Sequence, residues 1–220
     1  MAQNKMKTIL FDLDGTLVDT APDLGYALNL QLKKYGKQPL ADAEIRPFAS
    51  HGSKGLLALG FGITPDDADF IQMRDEYLNL YETVLTRSPL LFDGMQSTLA
   101  NIVEKGLSWG IVTNKPGRFT VPLVKSLGLD QEAICVISGD DAPQPKPSPA
   151  TLLLACKQAQ VRPEECIYIG DAERDIQAGR AAGMQTVIAM YGYIDETDKP
   201  LTWGADSTIA VPKDILTLIN

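Results

Sequence analysis

Two aspartates stand one residue apart where a short apolar run ends, in Lys7-Thr8-Ile9-Leu10-Phe11-Asp12-Leu13-Asp14-Gly15-Thr16. At the end of a buried strand this spacing brings two carboxylates near one point, and like charges held so closely need a cation or a shared proton. Gly15 lets backbone amides approach an anion, although Asp-Gly is also an ordinary turn pair. A second run ends in Ile111-Val112-Thr113-Asn114-Lys115, where a hydroxyl and the following amides could grip phosphate oxygens or simply cap a helix. Lys146 sits among Pro143, Pro145, Pro147 and Pro149, a rigid loop that holds a lone cation near the sheet edge; most lysines are merely solvated. In Ile169-Gly170-Asp171-Ala172-Glu173-Arg174-Asp175, Asp175 follows Asp171 by one helical turn on the same face. Two more hard oxygen donors suit Mg²⁺, with helix capping by Asp171 as the plainer alternative. Each piece has a bland reading. All of them at successive strand ends of one sheet would be a much rarer coincidence.

That placement requires a particular scaffold. Apolar, strand-forming runs cover residues 7–12, 107–113, 133–138, 166–170 and 185–190. Helical stretches precede the later runs; three are followed by Gly106, Gly128 and Gly183, and the periodic stretch before Gly128 has Phe119, Leu123 and Leu127 four apart. Strands alternating with single helices predict an α/β, doubly wound parallel sheet whose chemistry gathers at the strands' carboxyl ends. More than ninety residues separate the first two strands, far beyond one crossover helix. Thr20 with Pro22 and Asp23 predicts one helix there, striped by Leu24, Leu28, Leu32 and Tyr35. Thr64-Pro65-Asp66-Asp67 predicts the start of another, with Ile71, Leu78, Tyr81 and Leu85 on one face. Shorter helical pieces at 43–49 and 53–59 complete a bundle bounded near Thr16 and Ser88-Pro89. The expected organisation is a core of residues 1–16 and 88–220 with an inserted α-helical cap at 17–87.

The chain has 220 residues, 20 Lys plus Arg against 28 Asp plus Glu, and a net charge of -8. Such a field repels nucleic acid and anionic membranes, so an anionic substrate must be attracted by a few placed lysines or a bound cation. Cys135, Cys156 and Cys166 are odd in number, lack C-x-x-C spacing and lie in apolar stretches, which predicts free buried thiols in a reducing compartment. The first apolar run is interrupted by Asp12, too early for a signal peptide or a membrane span, so a cytoplasmic setting is expected.

Asp12-x-Asp14-x-Thr16, Thr113-Asn114, Lys146 and Gly170-Asp171-x-x-x-Asp175, in that order, resemble the four motifs of the haloacid dehalogenase superfamily. The likeness covers roughly residues 7–189, and the helical insertion resembles its helical-cap, phosphoglycolate-phosphatase-like branch. Within that branch, 91–95, 109–116, 179–184, 191–193 and 203–206 are similar to the N-acetylmuramic acid 6-phosphate phosphatase subgroup. The resemblance implies a Mg²⁺-dependent phosphatase in which Asp12 is the nucleophile and Asp14 the acid and then the base. It implies that Asp12, the Asp14 carbonyl and Asp171 hold Mg²⁺, with Asp175 nearby through water or by orienting Lys146. Thr113, the Asn114 amide and Lys146 would bind the transferring oxygens.

Loop 50–54, with Lys54, and on the core side Lys115 and Arg118, are the expected contacts to the rest of the substrate. The superfamily's dehalogenases lack the second aspartate, so Asp14 favours phosphoryl chemistry. Phosphonate cleavage would need a Schiff-base lysine in the cap, for which Lys54 is a poor match. Expected substrates are small phosphomonoesters, either phosphoglycolate or a phosphorylated amino sugar acid. A phosphosugar mutase and a noncatalytic phosphate- or Mg²⁺-binding regulator remain as alternatives. His51, the only histidine, is expected to be incidental, and Tyr26, Tyr77 and Tyr81 to serve packing. A monomer or homodimer is expected, with no nucleic acid or membrane partner.

Overall fold

A computed structural model describes residues 6–219. The initial Met1–Lys5 portion assigned above to the core and to the leader reading lies outside the described residues. The strands are β1 (Thr8–Phe11), β2 (Val18–Asp19), β3 (Leu90–Leu91), β4 (Ser108–Val112), β5 (Val136–Ile137), β6 (Cys166–Gly170), β7 (Gln185–Ala189) and β8 (Ser207–Ile209). The helices are α1 (Ala21–Lys34), α2 (Asp42–Ile45), α3 (Gly52–Phe61), α4 (Phe70–Val84), α5 (Met95–Glu104), α6 (Gly117–Ser126), α7 (Ala150–Ala159), α8 (Glu173–Ala182) and α9 (Ile215–Leu218). Six strands form one parallel sheet in the order β5-β4-β1-β6-β7-β8. The α/β class and the five strands read from apolar runs are therefore present, and β8 is an addition at the sheet edge.

Alternation along the strands explains why both faces are buried. Ile9, Phe11, Ile111, Ile167 and Ile169 pack on one side with Leu99, Ile102, Phe119 and Leu123 from α5 and α6. Leu10, Val112, Ile137 and Tyr168 pack on the other with Leu152, Cys156 and Ala178 from α7 and α8. Side chains of period two, apolar on both sides, produce the near-continuous runs seen in sequence.

α1 to α4 are inserted between β1 and β4. The two passages that join them to the sheet run side by side as an antiparallel ribbon, pairing Val18 with Leu91 and Asp19 with Leu90. Leu24, Leu28 and Leu32 of α1 are buried as expected, but Tyr35 is 46% exposed because the helix ends at Lys34. The second long helix begins later than predicted. Asp67 accepts hydrogen bonds from Thr64 N and Oγ1, closing a local turn, and α4 starts only at Phe70. Its buried face is Phe70, Met73, Tyr77 and Tyr81, while Ile71 is 56% exposed.

Candidate active site

Asp12, Thr113 and Asp171 each follow the carboxyl end of a sheet strand, β1, β4 and β6, and the loop after β5 delivers Lys146 to the same place. The lysine lies at the centre of the site rather than at the sheet edge. Its side chain is 0% exposed, and Nζ is 2.9 Å from Asp12 Oδ1 and 2.7 Å from Asp175 Oδ1. Nζ also donates to the Tyr168 hydroxyl at 2.7 Å and to the Val112 carbonyl at 3.1 Å. Burial opposes the ammonium, yet Asp12 and Asp175 outweigh it and hold the Lys146 pKa above the usual lysine range. Burial raises Asp12 above the ordinary aspartate range although Lys146 pulls the other way. Asp12 Oδ1 also accepts from Leu13 N at 2.8 Å; among the described residues no hydrogen bond falls on Oδ2.

Asp171 completes the acidic cluster: ligand oxygens of Asp12, Asp171 and Asp175 all lie within 4.8 Å of one another, and all three residues are buried. Burial, then Asp12 and Asp175, push the Asp171 carboxyl up to about 7. Three buried carboxylates, with the Lys146 ammonium and the neighbouring Arg174 guanidinium against them, still leave an excess of negative charge and a set of hard oxygen donors that fits a hard divalent cation. Asp171 is also steadied by Thr16 Oγ1 at 3.3 Å, Tyr193 N at 2.8 Å and Ser50 Oγ at 2.7 Å. At Gly15, with φ +83°, a Cβ would stand 2.2 Å from Asp171 Oδ2, so this loop can pass the carboxylate only as glycine. Asp175 meanwhile accepts from Ala172 N at 3.0 Å, so the capping considered for Asp171 is made by Asp175 instead.

Asp14 belongs to a second group. Its Oδ1 accepts from Lys115 Nζ at 2.8 Å and from Thr20 Oγ1 at 2.6 Å. Thr20 therefore does not cap α1 with its side chain; the helix's first amides, Thr20 N and Ala21 N, instead donate to the Tyr193 hydroxyl. Lys115 is buried beneath the Tyr81 ring of α4, 4.8 Å from its centroid. Burial opposes its charge, and Asp14 with Tyr81 overcomes that and raises its pKa. Its ammonium is engaged with Asp14, and the residue lines the cleft where a contact to the substrate is expected. Asn114 spends its side chain on Lys146, donating to its carbonyl at 2.9 Å and accepting from its amide at 2.8 Å, which ties the second motif to the third. Thr113 Oγ1 accepts from Lys115 N at 3.1 Å.

Between sheet and helical insertion lies a cleft of about 570 Å³, lined on the core side by Asp12, Asp14, Thr113 and Asn114 and on the other by Ser53, Lys54 and Tyr77. His51 lines it too, close to Asp195 and Asp198, and shares a smaller cavity of about 170 Å³ with Asp171 and Arg174. Tyr77 and Tyr81 both pack and wall the cleft, whereas Tyr26 is 40% exposed. Arg118 lies over the Phe119 ring and is not part of the lining. Three contributors escape the sequence reading: Thr20, Tyr193 and Arg174. Only Arg174 leaves a signal, because a cation in the first turn of a helix opposes the helix dipole and so invites a reason for its presence.

Residues 9–189 match the haloacid dehalogenase-like hydrolase family. The chain is 37% identical over 223 residues to an N-acetylmuramic acid 6-phosphate phosphatase of Pseudomonas aeruginosa, covering 100% of this chain and 97% of that protein. It is 40% identical over 209 residues to a phosphoglycolate phosphatase of Xanthomonas campestris pv. campestris, covering 95% and 94%. A crystal structure of a predicted phosphoglycolate phosphatase from Haemophilus somnus aligns with a TM-score of 0.82 at 26% identity, covering 98% of both chains.

Proposed function

The chain belongs to the haloacid dehalogenase-like hydrolase family and is a phosphoric monoester hydrolase; from that premise we propose that Asp12 attacks the phosphorus of small phosphomonoesters with help from Mg²⁺. The observation that carries this reading is Asp12 itself, pinned through Oδ1 by Lys146 and Leu13 N with Oδ2 left for reaction. A carboxylate oxygen bonds to phosphorus as the ester oxygen departs, so one slow hydrolysis becomes two easier displacements. Asp14 gives its proton to the departing alkoxide and then takes one from the water that releases phosphate from Asp12. Lys146, the Thr113 hydroxyl and the Asn114 amide bind the transferring oxygens, while Asp175 and Tyr168 hold the Lys146 ammonium in place. Asp12, Asp171 and the Asp14 carbonyl would hold Mg²⁺, whose charge would screen the carboxylate from the phosphate dianion, with Asp175 orienting Lys146 beside it.

Residues 17–87 would act as the cap that selects the leaving group. A cleft of about 570 Å³ is far larger than a two-carbon ester needs and suits a phosphorylated amino sugar acid, so we take N-acetylmuramic acid 6-phosphate as the preferred substrate over phosphoglycolate. The buried free thiols of Cys135, Cys156 and Cys166 support a reducing, cytoplasmic setting. The test is phosphate release with Mg²⁺ from these two esters, glucose 6-phosphate and pyridoxal phosphate. The muramate ester should turn over fastest. A faster phosphoglycolate reaction would reverse the substrate assignment, and a phosphosugar isomer formed without free phosphate would overturn hydrolysis.

A further inference from the structure

Arg174 lies in the first turn of α8, between two of the clustered acids, yet it joins none of them in an ion pair among the described residues. Its only hydrogen bond there runs from Nη2 to the Ser50 carbonyl of the helical insertion, at 2.8 Å. A guanidinium offers five N–H donors in a planar fork, so most of this one is left over, and the side chain lines the cleft. The two buried lysines near the reacting end have other work: Lys146 pairs with Asp12 and Asp175 and serves the phosphoryl oxygens in the reading above, and Lys115 pairs with Asp14.

The order of the strands fixes which side Arg174 serves. Thr113 and Asn114 follow β4 on one flank of β1, while Arg174 follows β6 on the other flank, so the two stand on opposite sides of Asp12 in the same cleft. Ser50 ties it to loop 50–54, where Lys54 adds a second cation to the cleft wall. Asp175, Asp12 and Asp171 lie close enough to sustain the Arg174 charge although none forms an ion pair with it among the described residues, so its spare N–H groups, with Lys54, offer the cleft a place for an anion from outside. We propose that Arg174 binds a carboxylate on the alcohol portion of the substrate and makes the enzyme selective for acidic phosphomonoesters. The planar fork matches a carboxylate bidentately, which a lysine cannot do. This rests on the phosphatase reading and assigns that reaction's selectivity to a residue outside the four motifs.

The experiment compares matched esters that differ in one carboxylate: phosphoglycolate with ethyl phosphate, and N-acetylmuramate 6-phosphate with the primary carboxamide of its lactyl group. The wild-type chain should favour the acidic member of each pair by ~100-fold in kcat/KM, because a site built to bind a polar group strongly rejects an analogue lacking it. Arg174→Gln should bring that ratio within ~5-fold, mainly through KM of the acidic ester. Arg174→Lys, which keeps the charge in case the glutamine variant does not fold, should keep only part of the ratio, about a tenth. A wild-type chain that hydrolyses both members equally would overturn this inference and leave the phosphatase reading standing. So would variants whose rates fall equally on both members of a pair. No phosphate release from any ester would overturn the phosphatase reading itself, and this inference with it.

Discussion

Two buried lysines divide the site into unlike halves. Lys146 is surrounded by groups of the sheet and its crossovers alone: Asp12, Asp175, Tyr168 and the Val112 carbonyl. Lys115 also comes from a strand end, but its carboxylate partner Asp14 is shared with Thr20 at the foot of α1, and its roof is Tyr81 of α4. The first half is built on one parallel sheet and meets the helical insertion through Ser50, which donates to Asp171 at 2.7 Å. The second is assembled from both sides of the cleft. Under the proposed mechanism this difference divides the labour: attack on phosphorus would be preorganised in the sheet, and protonation of the leaving group would depend on how the insertion sits.

The comparison is sharpened most by Asp12→Asn. The replacement keeps the volume and removes the nucleophile, so phosphate release should fall by ~10⁴-fold or more with any substrate, while circular dichroism and the melting profile show a folded chain. Substantial residual turnover would place the nucleophile elsewhere. Asp14→Asn probes the other half and should discriminate by leaving group. A sugar phosphate must expel an alkoxide that needs a proton, and its kcat should drop by ~10²–10³-fold. 4-Nitrophenyl phosphate expels a stable phenolate, so its first step, read as the pre-steady-state burst of phenolate, should lose less than ~10-fold, while its steady-state rate carries the loss of the base for water. A burst that falls as far as the sugar phosphate's rate would make Asp14 part of the same machinery as Asp12 and erase the division.

Mg²⁺ should act on the first half in a way that needs no turnover to detect. Ligand binding to the folded state alone, at a hundred times Kd, contributes ~2.7 kcal/mol, which for a chain of this size corresponds to ~5–10 °C in Tm. The wild-type chain should show that rise on adding Mg²⁺ and lose it with EDTA, and Asp171→Asn should abolish it. Asp14→Asn, whose carboxylate faces Lys115 and Thr20, should retain most of it. A rise undiminished in Asp171→Asn would move the ion out of the acidic cluster.

The same two halves differ in how far sequence reveals them. Asp12, Thr113 and Asp171 were legible because each ends an apolar run, and a strand buried on both faces announces itself locally. β8 did not, since Ser207-Thr208-Ile209 at a sheet edge carries a single core side chain and no apolar run. Thr20 reads as a helix cap because a threonine before Pro22 and Asp23 has the local chemistry of one; its engagement with Asp14 depends on a turn six residues back folding against it. Arg174, Ser50 and Tyr193 owe their positions to the meeting of the insertion, α8 and the loop after β7, distant passages of chain whose approach no local periodicity encodes.

Tyr193 offers the mildest and most specific way to break the comparison, because it touches both halves. Its amide holds Asp171, and its hydroxyl accepts from Thr20 N at 2.7 Å and Ala21 N at 2.9 Å while donating to Asp19 Oδ1 at 2.7 Å. Arg46 of the insertion bonds the same Asp19 and lies 5.1 Å from the centre of the Tyr193 ring. Tyr193→Phe leaves the amide on Asp171 intact and strips the hydroxyl from the ribbon at which the insertion joins the sheet. Buried amides left unpaired cost about 1–3 kcal/mol, so Tm should fall by roughly 2–12 °C. If the halves are separable, Mg²⁺ should still raise Tm by the wild-type amount, and kcat and KM should shift together by only a few-fold, as expected of a hinge. A loss of the Mg²⁺ response would mean that the ribbon and the acidic cluster move as one body, since a hydroxyl some distance from Asp171 could reach the ion only through a shared displacement of the Tyr193 backbone.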